Sequence, residues 1–215
     1  MRRALLRRNA SVPTGYKLNF DSTYNDRVGF GAYSGGIAFN NVIIEVKFSN
    51  LTDTSSSIQG IFGQHRAGGV PDRWFIARRG SDNSFFCRFG LVSLDFTSAA
   101  TSGIIRLEGD GTSTRSYLDG VLKTTGSVNT DSASTAYLLN IACNNNTAGT
   151  VVDTSTTLDG TIHYASIDNG TTLTIFALDE GSGATTTSDQ GDVGTISTTN
   201  GGGLSYINSV MWEAE

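Results

Sequence analysis

The sequence is poor in the residues from which most catalytic and metal sites are made. Its 215 residues include two histidines, His65 and His163, and neither lies in a nucleophile motif or a zinc-ligand spacing. Two prolines, Pro13 and Pro71, exclude collagen-like or proline-rich linker segments. Two cysteines, Cys87 and Cys143, each sit in an apolar run, where buried reduced thiols are expected. A disulfide between them is the open alternative, but a chain of this length can bury enough core to dispense with one. No apolar run approaches the roughly 20 residues that span a bilayer, so no membrane partner is expected. Near the start, Ala4-Leu5-Leu6 is cut short by Arg7 and Arg8, whereas a secretion signal needs roughly 7–15 apolar residues. The chain therefore reads as soluble and made in a cytoplasm. Charged residues are only 16% and the net charge is −5, with four arginines confined to the first eight positions. The remaining body is acidic, which argues against a nucleic-acid face built of clustered Lys and Arg.

What is present is Gly, Ser, Thr and Asn, the material of turns and of solvent-facing strand positions. Residues 1–15 read as a basic arm and linker, residues 16–215 as one domain. In residues 42–48, Ile44, Val46 and Phe48 alternate with Glu45 and Lys47, the pattern of a half-buried antiparallel strand. Further strands are predicted over 57–62, 74–78, 85–89, 103–108, 114–125, 136–142, 160–167 and 171–178, with no credible helix. In Tyr117-Leu118-Asp119-Gly120-Val121-Leu122, Asp-Gly between two β-prone arms predicts a tight hairpin of the mirror-image turn type. Residues 179–203 read as a long surface loop, returning to a last strand at 210–212. Turn signals every 8–15 residues, without a repeat of fixed period, favour an all-β sandwich or jelly roll over a propeller or solenoid.

Several segments resemble, in order, the concanavalin A-like and laminin-G-like superfamily. Leu18-Asn19-Phe20-Asp21-Ser22 through Asn25-Asp26-Arg27-Val28 is similar to its opening "FDG…ND-x-V" pair, with Ser22 where glycine is usual. Residues 42–48 are similar to its "FTIEAWV" strand, and Ser116-Tyr117-Leu118-Asp119-Gly120-Val121-Leu122 to its "LYVDGVL" hairpin. Leu158-Asp159-Gly160-Thr161-Ile162 resembles the late "G-x-I" strand. Phe176-Ala177-Leu178-Asp179-Glu180-Gly181-Ser182-Gly183 through Trp212 resembles a tail found on such domains in tailed-bacteriophage particle proteins and some bacterial surface proteins. The resemblance implies an antiparallel β-sandwich jelly roll and says nothing specific about ligand.

The enzymes of that superfamily, laminarinase-like glucanases, place their carboxylates on one strand as E-x-D-x-x-E, with the reacting pair about 5–5.5 Å apart. The nearest segment here, Glu108-Gly109-Asp110-Gly111-Thr112-Ser113, has Ser where the second Glu is required. No enzyme is expected. Gly201-Gly202-Gly203 lacks the Lys and the strand–helix setting of a phosphate loop. No cofactor is expected either, although calcium stays open, because Asp21, Asp26, Asp110, Asp153 and Asp179 fall in loops and calcium takes converging oxygens. For a glycan, Asp72, Arg73, Trp74 and Tyr206 are the candidate contacts, against the alternative that Trp74 is core.

In the N-terminal arm, Arg2, Arg3, Arg7 and Arg8 could dock on an acidic protein by charge-assisted hydrogen bonds, with Leu5 and Leu6 buried in the contact. A disordered solubilising terminus is the alternative. Together with the resemblance, the arm leads to an expected virion accessory protein of a tailed phage, a capsid decoration protein or short head or tail fibre. It would be fastened to the major capsid protein or another virion protein and assembled as a homo-oligomer, with a trimer favoured from phage architecture. The alternative is a lectin module recognising cell-surface glycans. Deleting residues 1–12 should abolish co-sedimentation with particles while leaving the domain folded; glycan binding that survives the deletion, without particle attachment in the full chain, would favour the lectin.

Overall fold

The computed structural model describes residues 16–33, 36–52, 57–65, 73–145, 152–153, 157–178, 180–199 and 201–214. The arm with Arg2, Arg3, Leu5, Leu6, Arg7 and Arg8 lies outside them, as does Asp72. In chain order the strands are β1 (Tyr16–Phe20), β2 (Arg27–Ala32), β3 (Val42–Ser49), β4 (Gln59–Gln64), β5 (Trp74–Arg79) and β6 (Ser84–Phe89). The short β7 (Val92–Ser93) and β8 (Phe96–Thr97) follow, then β9 (Gly103–Gly109), β10 (Thr114–Leu118), β11 (Val121–Gly126), β12 (Leu138–Ile141), β13 (Asn144–Asn145) and β14 (Val152–Asp153). The series closes with β15 (Gly160–Asp168), β16 (Leu173–Phe176), β17 (Thr185–Thr187), β18 (Val193–Ser197) and β19 (Trp212–Ala214).

Two antiparallel sheets carry the fold. The first runs β11-β10-β9-β3-β15-β1-β19, with β16 also paired to β15; the second runs β17-β18-β2-β12-β4-β5-β6-β7, with β8 also on β6. Each sheet turns one apolar face to the other, as in any sandwich. Val42, Ile44, Val46 and Phe48 of β3 are buried while the residues between them are not. Aromatic rings from both sheets meet in the middle: Phe48 lies 5.9 Å from Phe85, and Phe176 lies 5.7 Å from Phe62, which itself packs edge-on against Trp74 at 5.0 Å. Ring pairs of this kind add to the area term of burial.

The Asp-Gly hairpin forms as read, with φ of 52° at Asp119 and 77° at Gly120, the positive values that a mirror-image two-residue turn requires. Cys87 and Cys143 are buried thiols with no disulfide between them. Two expectations for the C-terminal third are overturned. The supposed loop over 179–203 contains β17 and β18, and β18 pairs with β2 to extend the second sheet, burying Ile196. This strand was hidden by Gly194, where a Cβ would collide with the Phe30 ring and Val28. Helix also occurs: Leu204–Tyr206 and Ile207–Met211 form helical turns that bury Ile207 and Met211 before β19 begins. Among the described residues no helix is long and apolar enough to cross a membrane.

Phe62 links Trp74 of its own sheet to Phe176 of the other. Phe62→Ala should cost about 3–5 kcal/mol of stability, read as a lower urea midpoint at unchanged m-value.

Candidate functional site

Strand β5 alternates strictly. Trp74, Ile76 and Arg78 point into the sandwich, so Arg73, Phe75, Ala77 and Arg79 turn to the opposite side of the sheet, where Phe75 and Ala77 are nonetheless buried. On β6, Phe85, Cys87 and Phe89 are buried and Ser84, Phe86 and Arg88 face the same outer side. The register places Phe75 opposite Arg88, Ala77 opposite Phe86 and Arg79 opposite Ser84. The Arg73 guanidinium lies 5.2 Å above the Phe75 ring, and the Arg79 guanidinium lies 5.1 Å above the Phe86 ring. His65, just beyond β4, meets Phe75 edge-on at 4.5 Å. The outer face of β5 and β6 is thus a strip in which two cation–aromatic units flank Arg88.

Two acids steady this strip. Asp95 bonds Arg88 at 2.6 Å and accepts the Cys87 amide, which fixes its position beside β6. Asp82 takes two hydrogen bonds from Arg79, and these hold its carboxyl down at about 2. Arg79 and Arg88 are thus each matched by a carboxylate, and Arg78 points inward. Burial, and then the charge of Arg88, push the Arg73 guanidinium's pKa down.

The residues singled out from sequence as glycan contacts do not form one site. Trp74 is fully buried, its indole N–H donating to Gln64 Oε1 at 2.8 Å, so it offers no platform; the core alternative is the correct one. Tyr206 donates its hydroxyl to Asp26 at 2.9 Å and packs edge-on against Tyr24. Asp26 precedes Val28, whose row runs through Ile141 and Phe62 to Ile76. Antiparallel alternation then puts Tyr206 level with the Arg78 end of β5, away from Arg73. Of the four, Arg73 belongs to the strip. Phe75, Phe86, Arg79 and Arg88 were missed, although the period-two spacing Arg73-x-Phe75-x-Ala77-x-Arg79 and the local arginine excess were readable.

The remaining polar candidates are spent on structure. Glu108 bonds Arg115 at 3.4 Å and Arg106 at 3.1 Å on the outer face of the first sheet, and Arg106 covers Tyr117. His163 shares a hydrogen bond with the Ser49 hydroxyl. Of the five acids weighed for calcium, Asp179 and the side chain of Asp153 lie outside the described residues, and the other three bond within their own loops or to neighbouring residues. Asp110 Oδ1 accepts from the Thr112 and Ser113 amides, Asp21 Oδ1 from the Thr23 amide, and Asp26 Oδ2 from the Asp21 amide and Tyr206. Among the described residues no three His, Cys, Asp or Glu side chains stand together as a metal site.

No family model matches the chain, and no curated protein resembles it in sequence. Solved structures do. A protein from Bacteroides ovatus ATCC 8483, provisionally assigned as carbohydrate-binding, superposes with a TM-score of 0.58 at 12% identity, covering 87% of this chain and 60% of that one. The chain therefore spans less than two thirds of that protein's length. A heptameric SAP-like pentraxin from Limulus polyphemus aligns at TM-score 0.48 and 9% identity, over 71% of this chain and 75% of that one. The alginate lyase AlgAT5, of polysaccharide lyase family 7, aligns at 0.35 and 17%, over 66% and 59%. The fold is the concanavalin A-like jelly roll. The jelly roll anticipated from the hairpin and strand motifs is the observed architecture.

Asp26, fully buried, gives a pH signature. Burial raises its pKa above the ordinary 3.8, outweighing the hydrogen bonds from Thr198, Tyr206 and the Asp21 amide that pull it down. A raised carboxyl favours the fold while protonated, below the unfolded-state value, and that contribution fades as pH climbs through the folded-state value. Asp26→Asn, which still accepts from Tyr206, should flatten this part of the profile, giving a higher melting temperature than wild type at pH 7 and little difference at pH 3.

Proposed function

We propose that the protein is a non-catalytic carbohydrate-binding module whose ligand lies along the outer face of β5 and β6. The observation that carries this reading is half-buried Phe86 on β6, with the Arg79 guanidinium over its ring, beside Phe75 of β5, which is buried beneath Arg73 on the same side of a rigid sheet. Sugars present apolar faces of axial C–H groups and rims of hydroxyls, and a surface of aromatic rings edged by planar donors complements both. Sites built on strands hold their geometry better than sites built on loops. The fold shared with the Bacteroides ovatus protein is in keeping with this reading. A non-catalytic role is supported by the fate of Glu108, whose two oxygens are ion-paired to arginines instead of facing a second free carboxylate.

A second reading, attachment to a phage particle through residues 1–12 with the jelly roll displayed outward, is favoured by the four arginines of the arm and the tail motif from Phe176 to Trp212. The two are compatible, since a displayed module can bind host glycans.

The test is binding to an immobilised glycan panel, followed by titration of the best ligand. Phe86→Ala should weaken that affinity roughly tenfold, about 1.4 kcal/mol, without changing the melting temperature by more than a few degrees. A folded Phe86→Ala variant with wild-type affinity would move the site off this face.

A further inference from the structure

We propose that the β5–β6 face selects a neutral polysaccharide whose units carry adjacent free hydroxyls, held by the Arg79–Asp82 and Arg88–Asp95 pairs on either side of Phe86. The inference rests on the carbohydrate-binding reading and adds the class of sugar. Its first support is the state of the charges. Arg79 Nη2 lies 2.6 Å from Asp82 Oδ2, and Arg88 Nη2 lies 2.6 Å from Asp95 Oδ2. A ligand carboxylate would have to break one of these pairs to reach its guanidinium, and would meet the displaced carboxylate in doing so. Like charges brought together in this way oppose binding; an uncharged ligand meets neither obstacle. The hydrogen bonds from Arg79 that hold the Asp82 carboxyl down at about 2 keep that pair intact in mildly acid as well as neutral solution.

The second support is what the pairs leave unspent. A carboxylate offers about four acceptor sites and a guanidinium about five N–H donors. Asp95 accepts the Cys87 amide on one oxygen at 3.0 Å and Arg88 on the other. Asp82 accepts the Ser84 amide on Oδ1 at 3.1 Å and Arg79 on Oδ2. Arg79 spends Nε and Nη2 on Asp82, and among the described residues no bond uses its Nη1. Each pair therefore sets a donor beside an acceptor. Two adjacent hydroxyls of a sugar ring answer that arrangement, one accepting from the guanidinium while its neighbour donates to the carboxylate. The side chains are open enough for this, at 35% and 44% exposure for Arg79 and Asp82 and 23% and 28% for Arg88 and Asp95. Spacing is the third support. Arg79 lies opposite Ser84, and Arg88 follows Phe86 by two residues on the same strand. The two pairs thus mark the ends of a stretch of about 13 Å at the usual rise, with half-buried Phe86 between them for the apolar side of a ring.

The experiment titrates the full chain with three kinds of soluble polymer. The 1,4-linked mannan, galactan and xylan keep adjacent hydroxyls at C2 and C3 of every unit; a 1,3-linked glucan has none along its chain; polygalacturonate keeps them but adds a carboxylate. The expected result is that at least one neutral 1,4-linked polymer binds and that the other two kinds bind about tenfold more weakly or worse. Affinity for the neutral polymer should change less than about twofold as salt is raised, because the charges of the face are already paired. Asp82→Asn keeps the shape but releases Arg79. It should lower affinity for the neutral polymer about fivefold and raise that for polygalacturonate, an exchange of preference that a merely structural role for Asp82 would not produce. Asp95→Asn should act in the same direction, while Lys123→Gln on the exposed edge strand β11 leaves both affinities unchanged. Should Asp95→Asn fail to fold for want of the Arg88 pair, Asp82→Asn carries the comparison. Three results would each overturn the inference and leave carbohydrate binding standing: polygalacturonate bound more tightly than every neutral polymer, the 1,3-linked chain bound at least as tightly as the 1,4-linked ones, or a folded Asp82→Asn variant with wild-type preference. If neither these polymers nor any glycan of the immobilised panel binds, both readings fall.

Discussion

The register of β5 is the constraint on which the rest depends. A strand exposes alternate residues, so a slip of one position would turn every side chain to the opposite face. Here the inward set is pinned at both ends by polar bonds in a dry interior. At one end the Trp74 indole donates to Gln64, whose amide in turn donates to the Ser134 and Tyr137 carbonyls at 3.0 Å. At the other, the Arg78 guanidinium donates to the Leu51 carbonyl at 2.9 Å and to Asn83, with the Phe85 ring 5.6 Å away. A buried indole N–H left without its acceptor costs about 1–3 kcal/mol, and a stranded guanidinium costs more. Neither end can slide independently, so Phe75, Arg79 and their neighbours are held outward by bonds they do not themselves make.

That arrangement gives the two sides of a single strand different surroundings. The inner residues of β5 and β6 belong to the aromatic core shared between sheets, while on the other side Phe75 and Ala77 are buried outside that core and Phe86 is half-buried. The same division explains why Trp74 and Arg73, adjacent in sequence, have unrelated roles. One closes the core and the other lies half-buried over Phe75 on the opposite side.

The architecture was legible in the sequence wherever a local pattern decided the backbone. Asp119-Gly120 needs positive φ twice and announces its turn; the alternation from Val42 to Phe48 announces a half-buried strand. The sequence was silent where tertiary contact did the deciding. Gly194 sits in a strand because Phe30 leaves no room for a Cβ, a fact visible only once β18 lies beside β2. The Leu204–Met211 turns bury only Ile207 and Met211, too little periodicity to stand out in a Gly- and Ser-rich stretch. The site was half legible. Aromatic residues near polar neighbours drew attention to Trp74, but which of two adjacent aromatics faces out depends on the pairing of β5 with β4 and β6, and that pairing is set by long-range register.

Charge placement is the last step of the argument. A protein of low charge content has few arginines to spend, and this one puts four of them between positions 73 and 89. One is consumed by the core. If the other three served stability alone, each would be expected to meet its own carboxylate, as Arg115 meets Asp110. Arg79 and Arg88 do so, with Asp82 and Asp95. Arg73 lies half-buried over the Phe75 ring, where burial first and the charge of Arg88 second lower its pKa. Surface ion pairs are worth little in any case, so the pairs of Arg79 with Asp82 and of Arg88 with Asp95 order the side chains of this face more than they hold the fold.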